Sequence, residues 1–125
     1  MRPHLDRIDD LIRWHDEFNE DEFGGKLLPI TLLIKRNKTK DGWYEYKTEK
    51  RDGDAWCPAR RDLKRANIVI TEGCWLEDIV EGTLLHEMIH QYQAEVLNRA
   101  TSHDALFKSW ARKLEKKYGY SIRTK

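Results

Sequence analysis

The sequence predicts an α+β fold, a small three-stranded antiparallel or mixed sheet packed on helices in the order α-β-β-β-α-α. Three observations predict it. Apolar residues recur at helical spacing toward both ends of the chain, short β-branched runs gather in its middle, and nothing alternates strand and helix as a doubly wound parallel sheet requires. With 125 residues and 15.0 kDa the chain has the size of one domain, read here as residues 1–125, able to bury about two thirds of its unfolded surface.

The elements follow in order. From Pro3 to about Glu22, the residues Leu5, Ile8, Leu11, Ile12, Trp14 or His15, and Phe18 fall three and four apart, an amphipathic helix that ends before Gly24-Gly25. Pro29 to Lys35 is short, β-branched and apolar. It meets the polar run Arg36 to Gly42, a turn signal, before Trp43-Tyr44-Glu45-Tyr46-Lys47, and the two stretches together read as a hairpin. Thr48 to Arg65 holds Asp52-Gly53, Pro58 and many charges and reads as a loop or irregular insertion. Ala66 to Thr71 is the third strand. It is read either as the sheet edge to which an extended peptide adds by backbone hydrogen bonds or as an ordinary sheet strand. A long helix from about Leu76 to Asn98 places Ile79, Val80, Thr83, Leu84, Met88, Tyr92 and Val96 at regular intervals. The last helix runs from about His103 to Tyr118 and stops at Gly119.

Composition excludes several classes. Charged residues make up 36% and hydrophobic residues 39%, mean hydropathy is -0.83, and the apolar runs are only a few residues long, so no segment spans a bilayer. The first ten residues are charged and lead into no apolar stretch with a cleavage site, so a cytoplasmic setting without membrane contact is expected. Cys57 and Cys74 form no CxxC pair, which excludes a disulfide framework and a four-cysteine zinc site and leaves both as reduced packing residues. The net charge of +1 conceals segregation: residues 35–65 carry 11 basic and 6 acidic groups and residues 96–125 carry 8 and 2, against 3 and 8 in residues 1–25 and 0 and 6 in residues 71–95.

The chemistry concentrates in His86-Glu87-Met88-Ile89-His90. Two histidines four apart on a helix project from one face and can hold one metal ion. Zinc suits imidazole nitrogen and, with an open coordination position, acidifies water, although histidine spacing alone does not separate it from other divalent ions. Glu87, one residue after the first histidine, is placed as general base. His103 follows a short connection and is the candidate third ligand, whereas His4 and His15 read as surface or core residues. Gly82 and Ala94 flank the two histidines by one turn on the same stripe, leaving room for a substrate or permitting close packing.

These residues resemble the SprT-like family of zinc metallopeptidases, which includes the Spartan proteases that digest proteins crosslinked to DNA. Phe18-Asn19-Glu20 with Phe23 to Pro29 is similar to the family's opening, Ile79 to His90 matches its active-site helix, and Ser102 to Phe107 resembles its second motif. There Ser102 and Asp104 stand where the family has glycines, and the sequence through Lys125 lacks the four-cysteine zinc ribbon that many relatives carry. The resemblance implies a zincin-like domain with zinc (Zn2+) on His86, His90 and His103, Glu87 as catalytic residue, and a protein or peptide substrate associated with DNA.

Three functions are therefore weighed. The first is a zinc metalloendopeptidase of HExxH type in DNA–protein crosslink repair, whose basic stretches 35–65 and 108–125 contact single-stranded or damaged DNA through phosphates and through Trp43, Tyr44, Tyr46 and Trp56. The second is the same peptidase without a DNA role. The third is a non-catalytic interaction module with structural zinc, which needs a fourth protein ligand. Tyr92, Tyr118 and Tyr120 are the candidate donors to a developing oxyanion, and the sequence does not choose among them.

Overall fold

Ile68, Val69 and Ile70 have no accessible surface, and a strand that is apolar on both faces belongs in the middle of a sheet. The computed structural model, which describes residues 4–48 and 61–122, puts it there. The elements are α1 (His4–Glu22), β1 (Thr31–Lys35), β2 (Gly42–Thr48), β3 (Arg61–Thr71), α2 (Gly73–Glu77), α3 (Val80–Glu95) and α4 (Ala105–Tyr118). The sheet order is β1-β3-β2, with β1 parallel and β2 antiparallel to β3. The fold is thus α+β with a mixed three-stranded sheet, as expected.

The hairpin expectation is corrected. β1 and β2 are adjacent in sequence but not paired, because β3 inserts between them: Leu32 registers with Ile68 on one side and Tyr44 with Ile68 on the other. The connection 36–41 instead passes over the end of β3, where Thr71 N–H donates to the Asp41 carbonyl (2.9 Å) and Glu72 N–H to the Lys35 carbonyl (3.0 Å). Asn37 shapes this connection by accepting from the backbone N–H of Thr39 and of Lys40, both at 2.9 Å. The reading of Ala66–Thr71 as an edge falls with the hairpin, since β3 is central and β1 and β2 are the edge strands. β3 also starts earlier than expected, taking Arg61 to Arg65 from the anticipated insertion, whereas residues 49–60, with Trp56 and Cys57, lie outside the described residues.

The helix expected over Leu76–Asn98 is two helices. Asp78 adopts left-handed backbone (φ 56°, ψ 45°), a conformation Asp tolerates better than most residues, and this closes α2 and re-aims the chain into α3. Leu76, the expected start of the single helix, is 79% exposed and is not among the residues of the core. α1 buries Leu11, His15 and Phe18 along one stripe, and α4 buries Phe107, Ala111 and Leu114. Both stripes close on α3, whose Leu84, Leu85, Met88 and Ile89 are fully buried in a single cluster shared with Ile68 and Ile70 of the sheet.

After α4 the chain reverses at Gly119 (φ 78°) and runs back against α3. A β-carbon on Gly82 would lie 2.2 Å from the Ser121 carbonyl oxygen, so this glycine is required by close packing of the returning backbone. Of the two roles open to Gly82, the structure therefore selects packing, and Ala94, fully buried, does likewise. No helix among the described residues is long and apolar enough to cross a membrane.

Candidate metal centre

α3 is buried on nearly every side, including the polar residues Thr83, Glu87, His90, Gln91 and Gln93, each of which must find partners to offset its desolvation. His86 and His90 stand one turn apart on it. His103 reaches them from the turn that precedes α4, a turn held at both ends. Asn98 adopts left-handed backbone (φ 51°), and Asp104 caps α4 by accepting the Phe107 N–H (3.0 Å) while its other oxygen accepts from Arg99 (2.6 Å). α4 thus begins at Ala105, leaving His103 outside the helix and free to turn toward α3. The His103 Nε2 lies 3.1 Å from His86 Nε2 and 3.2 Å from His90 Nε2. Three nitrogens bound to one tetrahedral zinc at 2.0–2.1 Å sit about 3.3 Å apart, so the donor set fits the ion in type and in spacing.

Phe107, fully buried on the first turn of α4, backs this cluster, with its ring centroid 4.8 Å from those of His86 and His90 and 4.7 Å from that of His103. Burial holds His90 below the usual histidine range, partly countered by its hydrogen bond with Gln93, and so favours the neutral imidazole that binds metals. Glu87 is 4% exposed, with a carboxylate oxygen 3.9 Å from His86 Nε2. Burial pushes its carboxyl up to about 8; the Asp41 carboxylate adds to the rise and the Lys40 ammonium opposes it.

The histidines and Glu87 form one wall of an open cleft of about 350 Å³. The opposite wall is the connection Thr39–Asp41 and the start of β2, Gly42 to Tyr44. The Lys35 and Lys40 ammonium groups lie over the Trp43 ring at 5.9 and 5.8 Å.

All four residues singled out from the motif, His86, Glu87, His90 and His103, are brought together. His15 is a core residue, 3% exposed, hydrogen-bonded to Gln91 at 2.8 Å. Neither Tyr92, Tyr118 nor Tyr120 lines the cleft: Tyr92 packs on Phe23 and Trp110, Tyr118 donates to Glu22 (2.6 Å), and Tyr120 stacks on Tyr118. The tyrosine that does line it is Tyr44. Asp41 and Gln93 went unnoticed in the sequence. The spacing of Gln93, three residues beyond His90 on one helix, was the available signal for it.

No curated protein matches the chain. The family model for the SprT-like family matches residues 9–125, nearly the whole length and every element that builds the histidine cluster and its cleft. On that match the chain belongs to the SprT-like family and has a metallopeptidase-like domain.

Proposed function

We propose that this protein is a zinc-dependent endopeptidase in which His86, His90 and His103 hold the ion and Glu87 is the general base. The observation that carries the reading is that His103 Nε2 lies 3.1–3.2 Å from the Nε2 of His86 and of His90, beside a buried carboxylate on the wall of an open cleft. A zinc ion held there supplies a Lewis acid that acidifies water and polarises a carbonyl. Glu87, buried beside His86, would take a proton from water at its carboxylate and return it to the leaving amine. Among the described residues the cluster has three members and no fourth, which favours an open site over a closed structural one.

β2 supplies the substrate's place. As an edge strand on the cleft it offers backbone groups to an extended peptide, and recognition of that kind reads backbone more than side chains. The DNA-associated role rests on charge. Lys35 at the end of β1 and Arg36, Lys38 and Lys40 on the connection that borders the cleft are exposed, and Lys108, Arg112, Lys113, Lys116 and Lys117 are exposed on α4.

The test is cleavage of an unfolded protein and of a DNA-binding protein by the zinc-loaded chain, with and without single-stranded DNA. Glu87→Gln serves as the blank and is expected to keep the metal while losing about 10²–10⁴-fold in rate. Cleavage by that variant at the parental rate removes Glu87 from the role. Stimulation by DNA that fades as salt rises supports the DNA setting, and salt-independent cleavage without stimulation points to a peptidase directed by a protein partner.

A further inference from the structure

The side chain of Gln93 has no accessible surface and no place in the chemistry proposed above, yet every one of its polar atoms is engaged. Its Oε1 accepts the Ser102 N–H (3.1 Å) and its Nε2 donates to the Ser102 carbonyl (2.9 Å), with a longer contact to the Asp104 carboxylate (3.5 Å). A backbone N–H only donates and a carbonyl only accepts, so this pair of bonds fixes which end of the amide is oxygen. That oxygen is also 2.9 Å from His90 Nδ1. The His90 Nδ1 must therefore carry the hydrogen, and its Nε2, 3.2 Å from that of His103, is left with a lone pair directed at the cluster.

We infer that Gln93 is a positioning residue that sets the metal-binding form of His90 and, by the same amide, anchors the turn that delivers His103. One side chain on α3 thereby couples two ligands that are 13 residues apart in sequence. Gln91 provides an internal contrast. Its Nε2 donates to the Leu28 carbonyl and to Glu95 (both 2.9 Å), so its oxygen accepts from His15 and fixes that ring as well, and neither Gln91 nor His15 lines the cleft. The two glutamines are equally buried and comparably bonded, and they differ in which histidine they hold.

The inference rests on the metal reading, and the experiment separates the two. In the metal-free, 15N-labelled chain, long-range proton–nitrogen correlation is expected to show His90 as the Nδ1–H form. Gln93→Leu should shift it toward the Nε2–H form and weaken zinc binding, read by chelator competition, by about 10–100-fold. Gln93→Glu keeps the acceptor and should restore the Nδ1–H form, whereas Gln91→Leu should leave zinc affinity within about threefold while costing comparable thermal stability. Gln93→Met is the second apolar variant should the leucine not fold. An unchanged His90 form and unchanged affinity in the apolar variants overturn the inference, as does an equal loss of affinity in Gln91→Leu, which would mark both glutamines as merely structural. A wild-type chain with His90 held as Nδ1–H that takes up no zinc supports the clamp and overturns the metal reading instead.

Discussion

Phe107 has no accessible surface, and its ring touches all three histidines, so replacing it tests whether the cluster is held by packing or holds itself. Removing a fully buried phenylalanine costs the transfer free energy of the ring plus a cavity term, about 3–5 kcal/mol for Phe→Ala. At an unfolding entropy of about 2.1 cal/mol/K per residue, a loss of about 4 kcal/mol from a chain of this length lowers Tm by about 15 °C. The space opened lies directly behind the imidazoles, so the rings gain freedom and the metal should bind more weakly than the loss of global stability explains. Phe107→Leu separates the two effects. It keeps apolar volume and should cost less than about 1.5 kcal/mol, while removing the flat surface that three rings pack against. Calorimetry of both variants, paired with zinc affinity measured well below Tm, is the assay. A Phe107→Ala variant that loses less than about 1 kcal/mol, or one that binds zinc as tightly as the parent, would refute the reasoning.

Three further outcomes are expected. Burial alone would lift the Glu22 carboxyl, but hydrogen bonds from Lys117 and Tyr118 (both 2.6 Å) outweigh it and hold the group below the ordinary glutamate range. A carboxyl depressed on folding contributes stability that is present above its unfolded pKa and lost as pH falls through the folded one. Tm of the parent should therefore exceed that of Glu22→Gln at pH 7, with the gap closing below about pH 4, and parallel curves would exclude this contribution. Gly82→Ala should lower Tm although alanine favours helix by about 1 kcal/mol, because the new methyl meets the Ser121 carbonyl at 2.2 Å and the backbone of residues 120–122 must move; a rise in Tm would show that this segment yields freely. Adding zinc at about 100 times its dissociation constant should raise stability by about 2.7 kcal/mol, or about 10 °C in Tm, and a chelator should reverse it; no shift would argue against an ion at the three histidines.

What the sequence disclosed and what it withheld divide along physical lines. His86, Glu87 and His90 declare themselves because a helix fixes which side chains share a face, and His103 because few other candidates lie close by in sequence. The helix ends at Glu22 and Gly119 were visible in the glycines that follow or form them. Strand pairing has no comparable local signal. Residues 29–47 look like a hairpin taken alone, and only the two-sided burial of Ile68 to Ile70 explains why another strand separates them. Asp78 broke the long helix through one backbone angle that the apolar spacing of its neighbours concealed. Gln93 was hidden for a related reason, since a glutamine on a helix is ordinarily solvated and becomes informative only once its burial is known.

The parallel pairing of β1 with β3 also bears on how the chain folds as it is made. Every β1 residue registers with a partner 36 positions later, Thr31 with Asn67 through Lys35 with Thr71. At a synthesis rate of about 5–20 residues per second, Leu32, Leu33 and Ile34 wait about 2–7 s for the strand that covers them. During that interval an apolar segment stands without its neighbour, and non-local pairings of this kind are slow and prone to association. His103 emerges later still, after all three strands and α3. An ion held by all three histidines would therefore find the strands and α3 already synthesised when its last ligand emerges.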